Sequence, residues 1–329
     1  KRSEDVRARI DVLSEMPEEW EGALARWSRL NAPRKTSLNG ELAPDRNDEY
    51  LLYQTLLGSW PEGPLSSEGF AAYRDRVVGY VQKATKEAKV HTSWVNPNEQ
   101  YDMAVRDFVC RLLDAGPDDP FMVDLQALQR RVAYFGRFNS LSQQLLKLTS
   151  PGVPDIYQGT EVWDYSLVDP DNRRPVDYQR RSTLLAELRD RASRAGDDRS
   201  ALARELLDAS QDGRIKLYAT CGTLDFRRAH PRLFSAGSYL PLSARGERRE
   251  HVCAFARSLD GEMALVVVPR LVVRLTGGIE RPPLGQEVWK GTWLALPHGS
   301  RGGASTPLRY RNVFTGQVIE AGRRDRALG

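Results

Sequence analysis

The stretch from Pro151 to Tyr178, PGVPDIYQGTEVWDYSLVDPDNRRPVDY, decides how the rest of the chain is read. It opens on a short apolar run between breakers, Pro151-Gly152-Val153-Pro154-Asp155-Ile156-Tyr157. That run is too short for a helix and is expected to form one buried strand, which delivers its C-terminal end to Gln158-Gly159-Thr160-Glu161. The loop that follows, 160–177, concentrates Glu161, Asp164, Asp169, Asp171, Asn172, Arg173, Arg174 and Asp177, with Trp163 and Tyr165 among them. Sugar hydroxyls need groups that donate and accept in pairs, and sugar rings offer C–H faces that pack on aromatics. Arg, Asp and Asn interleaved with Trp and Tyr are the residue types for that task. A salt-bridged loop that merely caps a barrel would use the same residues. For any single Arg or Asp the two readings weigh equally; for the whole block at the end of a buried strand, the sugar pocket is favoured.

Upstream of this block the pattern is helical. Ser3 is suited to cap a helix whose first turn holds Glu4 and Asp5 and whose apolar residues, Val6, Ile10 and Leu13, follow at helical spacing. Pro17 opens a second helix with Trp20, Leu24 and Trp27 on one side. Residues 31–46 read as a loop, and Glu49 to Leu57 as a helix stopped by Gly58 and Pro61. Further helices are expected over 67–88, from Asn98-Glu99 through Leu112, and over about 120–149. Downstream, helices fill 178–195, 198–209 and 213–229. From about 232 the composition turns to β, with Ala264-Leu265-Val266-Val267-Val268-Pro269, near alternation over Glu287 to Leu296, and a Thr315-Gly316 turn between short strands. Trp289 and Trp293, four apart in that alternation, are expected in the core of an antiparallel sandwich or small barrel.

Composition narrows the function classes. The 329 residues exceed what one hydrophobic core supports, so two or three domains are expected. A balance of 48 basic and 44 acidic residues gives +4, too little for a nucleic-acid partner. No run of eighteen apolar residues exists, so no membrane partner is expected. Three scattered cysteines (Cys110, Cys221, Cys253) fit thiols in a reducing cytoplasm. The four histidines lack metal-ligand spacing, and no phosphate-binding glycine loop or serine-hydrolase elbow is present, so neither a metal nor a cofactor is expected.

The central block also carries a resemblance. Gly152-x-Pro154 followed by Gly159-x-Glu161 looks like the last-strand motif of α-amylase-family (β/α)8 barrels, which place their functional residues at the C-terminal ends of the strands. The longer string, Trp163-Asp164 with Asp169-Pro170-Asp171-Asn172-Arg173-Arg174-Pro175-Val176-Asp177-Tyr178, resembles the maltooligosyltrehalose synthases within that family. Lys1 to Arg9, Thr92-Ser93-Trp94 with Pro97-Asn98-Glu99, Asn139-Ser140-Leu141, Leu145 to Thr149 and Arg227 to Leu242 are similar to that family as well.

The resemblance implies a mixed fold: a helical insertion domain after barrel strand 7 (1–115), the last barrel strand with its helices and sugar-pocket loop (116–230), and an antiparallel β-sandwich domain (231–329). It implies part of a cytoplasmic intramolecular transglucosylase in trehalose biosynthesis. Such an enzyme converts the reducing-end α-1,4 linkage of a malto-oligosaccharide to α,α-1,1 with retention, using two carboxyl groups about 5–5.5 Å apart. Those carboxylates and a third supporting Asp lie upstream of Lys1 in the family. The chain itself therefore holds none of the catalytic residues, and its partner is the upstream barrel portion. Lys1 matches the basic residue after the family's His-Asp pair and is expected to contact substrate, as are Glu161, Asp171, Asn172, Arg173, Arg174 and Asp177. Trp94 and its turn are weaker candidates, since a Trp at a helix entry more often packs than binds sugar. The other readings are a noncatalytic carbohydrate-binding or scaffold module, and a generic α-amylase or α-glucosidase relative.

Overall fold

A computed structural model describes residues 3–169, 171–296, 308–321 and 327–328. The chain divides into two compact units, Lys1–Gly136 with Asp164–Pro175, and Arg137–Trp163 with Val176–Gly329.

In the first unit each expected helix has an identifiable start. Ser3 Oγ accepts from the Val6 N–H to cap α1 (Glu4–Asp11), and Pro17 occupies the first turn of α2 (Pro17–Asn31). Trp20, Ala23 and Trp27 share the buried stripe of α2. The Trp27 ring meets Tyr53 and Phe121 edge-on, with centroids 5.3 and 5.6 Å apart. The segment expected to be a plain loop contains a hairpin, β1 (Thr36–Leu38) paired with β2 (Glu41–Ala43). Its turn is Asn39-Gly40, both at positive φ, the dipeptide that a two-residue hairpin requires.

The next helix, α3 (Arg46–Ser59), does not stop at Gly58. Gly58 lies inside it because α1 crosses there: a Cβ at this position would sit 2.8 Å from Val6 Cγ1. The remaining helices are α4 (Ser67–Ala88), α5 (Glu99–Leu113, capped by Asn98) and α6 (Pro120–Thr149), within which the boundary between the units falls.

The second unit continues with α7 (Tyr178–Ala195), α8 (Ser200–Asp208) and α9 (Arg214–Ala229), which bury Leu188, Leu202, Leu206 and Leu217 together with Val162. After α10 (Pro231–Ser235) the chain turns to small antiparallel sheets. One has the order β3 (Ser238–Pro241), β5 (Val252–Leu259), β6 (Glu262–Pro269). Ala264, Val266 and Val268 face inward on β6 while Val267 faces out, the period-2 pattern of a half-buried strand. The second sheet joins β4 (Ala244–Arg245), β7 (Trp293–Ala295) and β10 (Ala327–Leu328). The turn at Thr315-Gly316 lies between paired β8 (Arg309–Arg311) and β9 (Val318–Glu320). Two single-turn helices, α11 (Val272–Leu275) and α12 (Gln286–Trp289), interrupt the strands.

Two expectations are corrected here. Trp289 ends a helical turn rather than sharing a strand with Trp293, and the buried apolar residues of 287–296 are Val288, Leu294 and Leu296. Residues 151–159 form no strand, and Val153 is 95% exposed. A lone extended segment gains nothing from its sequence until neighbours pair its N–H and C=O groups, and no described strand pairs with this one.

Candidate functional site

The Asp164–Pro175 part of the loop belongs to the first unit, where it is tied down at several points. Ser3 donates from its N–H to the Ser166 carbonyl (3.2 Å) and from Oγ to the Asp164 carbonyl (2.6 Å). Asp5 accepts from the Asp164 N–H at 2.8 Å. Beneath the loop, the Arg9 guanidinium lies 3.4 Å from the centroid of the Tyr165 ring and donates to the carbonyls of Gly58 and Trp60. Arg9 and the Tyr165 hydroxyl both donate to Glu62 Oε1, at 2.6 and 2.9 Å. Burial pushes the Tyr165 phenol well above its usual range.

The centre of this arrangement is Asp171, whose side chain is 5% exposed. Arg76 of α4 grips it with two bonds, Nε to Oδ1 at 2.7 Å and Nη2 to Oδ2 at 2.9 Å. The Leu167 N–H donates to Oδ2 at 2.7 Å, and Arg174 Nε lies 2.9 Å from Oδ1. Burial alone would raise the Asp171 pKa. The Arg76 and Leu167 hydrogen bonds, with the nearby Arg174 charge, outweigh it and hold the carboxyl below its ordinary range. Asp171 is thus an ionised internal anchor, with both oxygens already occupied.

The residues around it are the accessible ones. Asp169, at φ +23°, pairs with Lys83 of α4 at 3.1 Å and with Arg173 at 2.5 Å, and its N–H donates to Asn172 Oδ1 at 3.2 Å. The Arg173 and Arg174 side chains are 72% and 52% exposed. Arg174 also donates to Ser166 Oγ. Chemically, this is a surface of two guanidinium groups and an amide, backed by a fixed carboxylate, that can hold a polyhydroxylated or anionic ligand.

Glu161 and Asp177 lie in the second unit, gathered around Arg181. Arg181 donates to Glu161 Oε2 (3.0 Å) and to the carbonyls of Gly159 (2.6 Å) and Asp177 (3.1 Å). Asp177 Oδ1 caps α7 by accepting from the Arg180 N–H. Gly159 adopts φ +92°, and a Cβ there would meet Val176 at 3.1 Å, so the Gly159-x-Glu161 spacing reflects a tight turn clamped by one arginine. Trp163 donates to the Ser210 carbonyl at 2.7 Å. Lys1 and Pro170 lie outside the described residues.

The sequence thus named the loop but not what holds it. Arg76, Lys83, Arg9 and Glu62 were not singled out, and no local signal marks them, because Arg76 is 95 residues from Asp171. Among the described residues, no cluster of His, Cys, Asp or Glu could hold a metal ion, and no helix is long and apolar enough to cross a membrane.

The fold and this loop point to one class of protein: the chain is similar, over nearly its whole length, to maltooligosyl trehalose synthases, as the resemblance implied. A protein of Mycobacterium tuberculosis (strain CDC 1551 / Oshkosh) that bears the name "Putative maltooligosyl trehalose synthase" is 39% identical over 300 residues, 91% of this chain and 32% of the relative. A crystal structure of a maltooligosyl trehalose synthase superimposes with a TM-score of 0.72 at 30% identity, covering 100% of this chain and 37% of the other. The maltooligosyltrehalose synthase of Arthrobacter ramosus gives 0.68 at 32% identity, covering 97% and 34%. The chain therefore spans about a third of the length of the relatives it matches. No family model matches it.

Proposed function

We propose that this chain supplies the helical wall and pocket loop of an intramolecular transglucosylase that turns the reducing end of a malto-oligosaccharide into a trehalosyl unit. The observation that carries the reading is the extent of the likeness, 39% identity over 91% of the chain to a relative bearing a synthase name. In the whole protein the segment 151–159, which pairs with no described strand, would be the last strand of an α-amylase-type (β/α)8 barrel. Residues 1–115 would form the helical insertion and 231–329 a β-sandwich domain, all in a cytoplasmic enzyme.

Retention requires a nucleophile and a general acid/base, which lie outside this chain in the proposed reading. The acids present here have other work: Asp171 is saturated by Arg76, Leu167 and Arg174, and Glu161 is paired with Arg181. The chain's own task is positioning. Asn172, Arg173 and Arg174 would hold hydroxyls of the released glucose while it turns, and so limit its loss to water. Asp171 would keep that surface in place, while Glu161 and Asp177 would shape the turn after the strand. Only Arg2 separates Lys1 from Ser3, which bonds the loop at Asp164 and Ser166, so Lys1 is proposed to reach the same sugar.

Incubating the whole protein that carries this chain with maltopentaose tests the reading. The expected product has the mass of the substrate and no reducing end. Shorter reducing sugars would instead favour a generic α-amylase relative. Binding without turnover would favour a noncatalytic carbohydrate-binding module.

A further inference from the structure

Trp94 does not pack at its helix entry; it is 61% exposed. Its chain neighbour Val95 is 96% exposed, so the turn presents more than one large apolar side chain to solvent, and contiguous apolar surface of this kind marks candidate ligand sites. Its turn is rigid. The Ser93 N–H donates to the Asn96 carbonyl (3.1 Å), the Asn96 N–H to Ser93 Oγ (2.9 Å) and the Asn98 N–H to the buried Thr92 Oγ1 (3.0 Å). Asn98 Oδ1 then caps α5 through the Tyr101 N–H. Lys86 Nζ lies 4.9 Å from the ring centroid on one face of Trp94 and is itself held by Asp102 at 3.2 Å. Lys86 thus lies against the ring, while most of the Trp94 surface remains exposed.

The position of Lys86 on α4 adds a second observation. Arg76 pairs with Asp171, Lys83 with Asp169, and Lys86 supports Trp94. Seven and ten residues along a helix bring the chain back to within about 20° and 80° of the starting direction, over a rise of about 15 Å. One edge of α4 thus carries both the anchored loop and, further along, the exposed indole.

We propose that Trp94 is a stacking platform for a glucosyl ring of the malto-oligosaccharide, remote from the end that reacts. A pyranose offers an apolar C–H face to a flat ring, and a turn already held by its own hydrogen bonds loses little freedom when the ring is covered. The inference rests on the substrate class proposed above and adds a subsite to it.

Steady-state kinetics of the whole protein with maltoheptaose and maltotriose decide it. Trp94→Ala is expected to raise KM for maltoheptaose about five- to tenfold with little change in kcat. Trp94→Phe should restore most of the loss, and maltotriose, too short to reach the platform, should respond to neither. An unchanged maltoheptaose KM in Trp94→Ala overturns the platform, and a fall in thermal midpoint with unchanged KM overturns it by showing that the ring is packed against other polypeptide. Wild-type turnover with such results leaves the proposed function standing, whereas a wild-type protein inert toward both sugars defeats both.

Discussion

Asp171→Ala is expected to destabilise the first unit by about 3 kcal/mol, because it removes one member of a desolvated, hydrogen-bonded ion pair and leaves the other behind. Arg76 would keep the Tyr165 carbonyl at 3.1 Å but lose its carboxylate partner, and the Leu167 N–H would lose its acceptor. Chemical denaturation checks the magnitude, and a change within about 0.5 kcal/mol would place Asp171 among ordinary surface residues. The charge gives the effect a pH signature. The folded-state pKa is depressed below the ordinary value of 3.8, so the contribution is fully present above that value and is lost as pH falls through the folded-state pKa. The stability gap between wild type and Asp171→Asn should therefore be constant at neutral pH and narrow in acid. A gap that widens on acidification would contradict the assignment of an ionised, donor-saturated carboxylate.

Gly136→Val should be comparably damaging for a different reason. Gly136 is a glycine in α6 against which α1 packs: a Cβ would come within 2.7 Å of Arg9 Cγ and 2.9 Å of Arg9 Cα. Backbone cannot move aside as a flexible side-chain tip can, and overpacking of this kind costs roughly 1–3 kcal/mol or more. The displacement would act on Arg9, which stacks on Tyr165 and donates to Glu62, so the 164–175 loop should loosen with the helix contact. Denaturation together with amide exchange across 164–175 tests both parts. Exchange in the loop unchanged in a destabilised variant would separate the helix contact from the loop.

Much of this architecture is legible in the sequence because it is local. Helices α4 and α7 begin and end where capping residues and breakers place them, and Asn98 announces α5 three residues before the N–H it accepts. Where a residue's meaning depends on a distant partner, local reading fails. Gly58 looks like a helix terminator until Val6 of another helix is seen against it. The hairpin at 36–43 was within reach, because Asn39-Gly40 is a turn dipeptide, but the polar character of the segment obscured it. The run at 151–159 has a strand's composition and, among the described residues, no strand beside it. In the candidate site, the acidic and arginine residues stood out as a group. Sequence could not separate the carboxylate that anchors, Asp171, from the guanidinium groups left facing solvent, since the division rests on a pairing with the distant Arg76.

The most direct test of a glucan pocket bordered by this loop is the partition of maltopentaose between isomerised and hydrolysed product in the whole protein carrying Arg174→Ala. Arg174 is half exposed and bonds Ser166 and Asp171 from outside the anchor, so the fold should survive its loss. If Arg174 helps retain the released glucose, the fraction hydrolysed should rise several-fold, as glucose appears at the expense of non-reducing isomer. An unaltered partition, with KM and stability also unaltered, would contradict a role for the loop in the pocket.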